Sequence, residues 1–185
     1  MTTQRLFVAL PIPAHVRVLA EAAAAPAREL APELTWTRPG GWHVTLAFLG
    51  EVPAEDVRGV EAAVADAVAG RAPVRCELGA AGRFDRRVLW LAVHDRPDGA
   101  VAALGSTVQR GLAAAGLPVT ERVVRPHLTL ARASRGGAAI DDHVVASVAP
   151  VAASWEAGEV ELVRAHLGDG PARYEPVGAW SLVDG

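Results

Sequence analysis

The chain contains no lysine; its 18 basic side chains are all arginine. That absence excludes chemistry that needs an ε-amino group, from Schiff-base catalysis to the lysine of a phosphate-binding loop or of a nucleotidyl-transfer site. Cysteine occurs once, at Cys76, which excludes an internal disulfide and any zinc site built from several thiolates. The apolar setting of that residue, PVRCELGA, predicts a buried thiol rather than a nucleophile. Positive charge is not in surplus: 21 acidic side chains outweigh the basic ones and leave a net charge of −3. A polyanion would therefore have to meet a local patch rather than a global basic field. No run approaches the roughly 20 apolar residues of a membrane-spanning helix. The opening MTTQRLFVALPIP lacks the charged-then-apolar layout of a secretory signal. A cytoplasmic protein with no membrane partner is the expectation.

What is present suits one globular domain. The 185 residues are 51% hydrophobic and 21% charged, enough for a single domain over 1–185 made of two small lobes. RLFVALPIP predicts a strand ending at prolines, and the alanine-rich stretch 14–30 predicts a helix that Pro26 kinks or shortens. WHVTLAFLG predicts a strand stopped by Gly50. Residues 54–69 predict a second helix, and 73–80 and 87–94 two strands joined by the basic turn GRFDRR. A third helix over 99–115 ends at Gly116, a plausible C-terminal cap. HLTLARAS is again a strand, 139–148 a weaker helix, and 151–156, 159–166 and 174–182 the closing strands, with GDGPA at 168–172 as a hairpin turn.

The informative feature is a repeat. WHVTLAFLG and PHLTLARAS match closely, and each is followed by a glycine-bounded turn and a helix. Alternate residues of a strand share a face. His43, Thr45 and Ala47 are thus expected on one side and Trp42, Val44, Leu46 and Phe48 on an apolar, core-facing side. His127, Thr129 and Ala131 repeat the pattern over Leu128 and Leu130. Two such faces opposed across a cleft would bring two imidazoles and two hydroxyls around one anion. Imidazole titrates near pH 6.5, so one ring can accept a proton while the other gives one, and the threonines can hold phosphoryl oxygens. That chemistry needs no metal and no cofactor. Strands that do not alternate one-for-one with helices predict an α+β fold with antiparallel sheets related by a pseudo-two-fold axis.

The other histidines predict less. Asp141–Asp142–His143 reads as an acidic helix start with an incidental imidazole, and His15, His94 and His166 as surface or sheet positions. No third ligand completes a metal site with His43 and His127.

These residues resemble the 2H phosphoesterases, defined by two H-x-[ST]-x motifs, and within them the RNA 2′,3′-cyclic phosphodiesterases, also called 2′-5′ RNA ligases. The resemblance runs end to end: RLFVALPIP, Trp36, HVTLAFLGEV, LWLAV, RPHLTLAR and the closing ELVRAHLGDGPARYEPVGAWSL. It implies a two-lobed α+β fold, with two antiparallel sheets facing a central cleft and helices outside. It implies hydrolysis of RNA-terminal or nucleoside 2′,3′-cyclic phosphates to 2′-phosphates. By motif, His43 becomes the proton donor to the departing 3′ oxygen, His127 the acceptor that activates water, and Thr45 and Thr129 the phosphate-binding residues. Relatives commonly carry a serine where this chain has Ala165, which removes a polar contact from that strand.

Supporting positions are open at this level. Phe7 either faces the cleft and stacks on a base or packs internally. Arg132 suits a phosphate but by parity lies opposite His127, reaching the cleft only if the strand ends or bulges. Arg83, Arg86, Arg87 and Arg125 either guide an RNA strand along the rim or are solvated surface charges, while Trp42 and Trp90 are expected in the core. A monomer is expected. The competing functions are a phosphodiesterase for another small cyclic phosphate and a nucleotide-binding module without turnover. Physiological ligation is least favoured, because joining could only be the reversed hydrolysis.

Overall fold

Five consecutive buried residues, Leu6 to Leu10, mark the first strand as one covered on both faces. That strand, β1 (Thr3–Pro11), lies inside a four-stranded antiparallel sheet of order β3-β1-β8-β9, formed with β3 (His43–Pro53), β8 (Glu159–His166) and β9 (Arg173–Ser181). A second antiparallel sheet has the order β2-β6-β5-β4-β7, from β2 (Thr35–Trp36), β4 (Val74–Phe84), β5 (Val88–Arg96), β6 (His127–Arg132) and β7 (Ser154–Ala157). The two orders correspond: β3-β1-β8-β9 has its counterpart in β6-β5-β4-β7, with the short β2 added beyond β6. The repeated motifs therefore hold corresponding places, β3 beside β1 and β6 beside β5. The computed structural model describes residues 2–134, 136–168 and 172–183.

Four helices, α1 (Ala14–Leu30), α2 (Val57–Val68), α3 (Ala100–Ala114) and α4 (Asp142–Ala146), pack with these sheets. The shared core is apolar: Leu6, Val8, Leu10, Val44, Leu46, Leu89, Leu91, Leu128 and Leu130 are each at most 1% exposed. Each such side chain contributes about 1.5–3 kcal/mol by burial, so this face holds the sheets in place and leaves the other face for chemistry. None of the described helices is long and apolar enough to cross a membrane.

The α+β class with two antiparallel sheets is as expected, and three local expectations change. Pro26 does not shorten α1, which runs to Leu30. Both Pro26 and Ala22, whose carbonyl loses its helical partner, face solvent, where water can satisfy the freed acceptor. Gly50 does not stop β3, because β1 begins at Thr3 and offers ladder partners as far as Pro53. Within GRFDRR the strand continues through Phe84, and the turn narrows to Asp85–Arg86, both at positive φ, with the Arg87 N–H on the Phe84 carbonyl. Such a two-residue turn matches the twist of the paired strands. Of the hairpin turn expected at 168–172, residues 169–171 lie outside the described residues. Cys76 is buried as expected, and burial together with the nearby Asp95 pushes its thiol up to about 12.

Candidate active site

Simple alternation predicts the wrong face from the second residue after each motif threonine, because both motif strands carry the same irregularity. In β3 the register with β1 skips Leu46: Ala9 pairs with Thr45 and Val8 with Ala47. In β6 the register with β5 skips Leu130: Trp90 pairs with Thr129 and Leu89 with Ala131. A bulge of this kind turns two successive residues to one side and inverts the parity beyond it. Ala47 and Ala131 therefore join Leu46 and Leu130 in the core, rather than sharing the face of the histidines. Phe48 and Arg132, the next residues, swing onto the cleft side with His43, Thr45, His127 and Thr129, and all six line one cavity of about 480 Å³. Phe48 is thus not the core residue expected from alternation but is 40% exposed. Arg132 reaches the cleft for the same reason.

A bulged residue has no ladder partner, and its carbonyl needs another donor. The Leu130 carbonyl accepts from the Thr37 N–H at 2.8 Å. The Leu46 carbonyl accepts from the Gln109 side chain at 2.8 Å, and the Gln109 Oε1 in turn accepts from the Arg122 N–H at 2.9 Å. Gln109 is only 4% exposed. It sits within the buried stripe of α3, among Val101, Leu104, Val108 and Leu112, and a polar residue in an apolar stripe is the sequence signal that marks it. Replacing it by leucine leaves two polar groups without partners, at roughly 1–3 kcal/mol for each fully buried one. Gln109→Leu is expected to lose about 2–4 kcal/mol of unfolding free energy. A urea titration showing less than about 0.5 kcal/mol, the size of an ordinary surface substitution, would contradict the role.

The two histidines are held alike. His43 Nδ1–H donates to the Gly41 carbonyl at 2.8 Å, and His127 Nδ1–H to the Arg125 carbonyl at 2.6 Å. A carbonyl only accepts, so the Nδ1 proton is fixed in both rings and Nε2 is left as the free nitrogen. Each ring is also braced by aromatics. His43 lies 4.5 Å from Phe7 and 5.1 Å, edge-on, from Tyr174. His127 lies 5.0 Å, edge-on, from Phe84 and 6.5 Å from Trp90. Gly41 is required here, since a Cβ on it would stand 2.8 Å from the Tyr174 ring. Gly82 serves likewise, its missing side chain making room for the Trp90 indole.

Burial among these rings disfavours the charged imidazoles. It lowers His43 from 6.5 to about 4, helped by the Arg132 and His127 charges and opposed by the Gly41 hydrogen bond. It also lowers His127, with Arg132 again contributing and the Arg125 carbonyl opposing. Both rings are therefore neutral near pH 7 in the unliganded protein. The one charge acting on both is Arg132.

Other expectations sort as follows. Trp42 is in the core, whereas Trp90 is on the cleft side beneath His127. Phe7 is on the cleft face but 4% exposed, covered by His43 and Tyr174, so its ring supports an imidazole and has no open face for a base. Ala165 lines the cavity and packs with Phe7 and Tyr174. Arg87 donates to the Ser134 and Gly137 carbonyls, and Arg83 pairs with Asp142 at 2.8 Å. Arg86 forms part of the β4–β5 turn. Asp141 caps α4 through the Val144 N–H. His15 meets the Ser154 carbonyl and His166 meets Glu175, and neither these nor His94 line the cavity. Among the described residues no three His, Cys, Asp or Glu side chains converge as a metal site. Tyr174, Phe84, Arg122 and Gln109 were not singled out from the sequence.

Comparison with known proteins agrees with this geometry. The family model of the 2′-5′ RNA ligase superfamily matches residues 19–169. The RNA 2′,3′-cyclic phosphodiesterase of Escherichia coli (strain K12) is 30% identical over 97% of both chains. A protein of the same name from Geobacillus stearothermophilus is 26% identical over 99% of this chain, which spans 59% of that relative's length. The crystal structure of E. coli LigT in apo form superposes with a TM-score of 0.76, at 28% identity and 99% coverage of each chain, and the same protein has been solved with 3′-AMP. A match over most of the chain, two H-x-T motifs at equivalent bulged strands and a shared fold lead to one conclusion: the chain belongs to the 2′-5′ RNA ligase superfamily.

Proposed function

We propose that the protein hydrolyses the 2′,3′-cyclic phosphate at the end of an RNA chain or ribonucleoside, leaving a 2′-phosphate. The observation that carries this reading is the matched pair of imidazoles, each with its Nδ1–H fixed on a carbonyl, on strands that also turn Thr45 and Thr129 into the same cavity. His127 Nε2 takes a proton from water, whose oxygen attacks phosphorus. The bond from phosphorus to the 3′ oxygen breaks, and His43 gives its Nε2 proton to that oxygen. Thr45, Thr129 and Arg132 face the phosphoryl oxygens. The names of the relatives and the 3′-AMP complex of LigT support the same substrate class.

The acid must be charged, yet His43 is lowered to about 4 in the free protein. The substrate supplies the remedy: a phosphate anion against Nε2 favours the charged ring and raises its pKa. Proton uptake is thus coupled to binding.

Product analysis tests the reaction directly. Incubation with 2′,3′-cyclic AMP in EDTA should yield 2′-AMP. A 3′-AMP product overturns the leaving group, and loss of activity in EDTA overturns the metal-free step. The pH profile tests the pair. In free protein both imidazoles titrate below 6.5, and the singly protonated form disappears above the higher of the two values. We expect kcat/KM to be greatest on the acid side of pH 6.5 and to fall toward pH 8, with kcat displaced to higher pH by the bound anion. Arg132→Gln should move the kcat/KM limbs to higher pH, because its charge lowers both rings. A kcat/KM plateau from pH 6.5 to 8.5 would sink this assignment.

A further inference from the structure

The cleft does not end at the histidines. Arg122 lies over the Phe48 ring, 4.9 Å from its centroid, and this pair stands between two chambers. One is the cavity of about 480 Å³ that holds Tyr174 and Arg132. The other, of about 560 Å³, is bordered by Arg83, Phe84, Val123 and Arg125. Thr45, Phe48, Thr120, Arg122 and His127 line both, so a ligand whose phosphate lies on the histidines can extend into either without leaving the cleft. The segment bearing Arg122 is tied down: the Thr120 N–H donates to the Phe48 carbonyl at 2.9 Å, and Gln109 holds the Arg122 N–H.

The second chamber carries uncompensated positive charge. Among the described residues, the Arg122 and Arg125 guanidinium groups have no carboxylate at ion-pair distance. Among the described residues Asp85 is the one acidic residue on its border, against Arg83, Arg122 and Arg125. Phe48 and Phe84 add aromatic surface. A ribonucleoside 2′,3′-cyclic phosphate has both secondary hydroxyls engaged in the ring, so an RNA chain can leave it only through its 5′ oxygen, as a phosphodiester. Paired aromatic and arginine surfaces beside unneutralised cations are how proteins hold a single strand.

We propose that the second chamber is the subsite for the nucleotide preceding the cyclic-phosphate nucleotide, its phosphodiester against Arg122 and Arg125 and its base on the Phe48 side of the chamber. This rests on the reading of the site given above. A mononucleotide leaves the chamber empty; a dinucleotide fills it.

The experiment compares kcat/KM for adenosine 2′,3′-cyclic phosphate with that for the dinucleotide ApA ending in the same cyclic phosphate. The wild type should favour the dinucleotide about tenfold or more, the worth of one stacked base, and the preference should shrink as salt is raised. Val123 borders the chamber and is 83% exposed, so charges can be placed there without disturbing the fold. Val123→Glu should reduce the dinucleotide-to-mononucleotide ratio about fivefold and Val123→Lys should raise it, the effect of one nearby charge in water. A steric or folding defect would move both variants the same way. Equal rates for the two substrates in the wild type, or a ratio that ignores the sign of the charge at 123, overturns the subsite. Failure to hydrolyse either substrate would instead strike the phosphodiesterase reading and take the subsite with it.

Discussion

His43→Ala and His127→Ala should each lower kcat/KM for a 2′,3′-cyclic nucleotide by about 10²–10⁴, the range of a positioned acid or base. The two losses should not add. Once either ring is gone the proton relay is broken, and the double variant should fall only slightly below the weaker single one. The structure makes these clean tests, since each imidazole's hydrogen bond within the protein runs only to a backbone carbonyl two residues earlier, Gly41 or Arg125. Removing the ring frees an acceptor at the edge of a cavity, where water can replace it, and leaves no buried charge behind. Thermal melts should confirm a folded protein in both cases. Activity of either variant within a few-fold of wild type would make the pair structural, and the functional reading would fail. The same substitutions separate hydrolysis from binding alone, because a module that merely holds nucleotides loses affinity but has no rate to lose.

The motif residues were legible because chemistry and periodicity coincide there. Over the first three residues of each motif the strand obeys alternation, so His43 with Thr45 and His127 with Thr129 fall on one face, and the apolar backs at Val44 and Leu128 are core. Alternation fails at Leu46 and Leu130, where one extra residue enters each strand. No residue type announces a bulge, so alternation puts Phe48 inside and leaves Arg132 in the cleft only if the strand ends or bulges. The donor that completes the first bulge, Gln109, lies on a helix more than sixty positions away, a separation that local patterning does not span.

The aromatic supports were illegible for a related reason. Tyr174 is set beside His43 by the pairing of β9 with β8 and of β8 with β1, and Phe84 reaches His127 because β4 runs further than its composition suggests. These are non-local consequences of sheet order. They matter chemically, since the rings are what exclude water from the imidazoles and lower their pKa values. The helices, by contrast, came out close to expectation: α3 ends with Gly116 at positive φ and the Leu117 N–H on the Leu112 carbonyl, a cap that glycine permits without strain.

Thr45→Val and Thr129→Val should each reduce kcat by about 10²-fold, the cost of removing one preorganised donor from a site where negative charge develops. Valine keeps the branched shape that a strand favours, so β3 and β6 should form unchanged and the bulges at Leu46 and Leu130 should persist. The hydroxyl alone is lost. Because charge on the phosphoryl oxygens is greatest when water and the 3′ oxygen are both partly bonded to phosphorus, the loss should appear mainly in kcat, with KM changed less. Thr→Ser at either position restores the donor and should recover most of the rate, which a purely packing role would not. Both threonines are also predicted to leave the pH profile in place: neither hydroxyl titrates, so the limbs set by His43 and His127 should stay where they are in both valine variants. A shifted profile would mean that the threonines act by placing the imidazoles, and unchanged kcat would mean that phosphate is held by Arg132 and backbone groups without them.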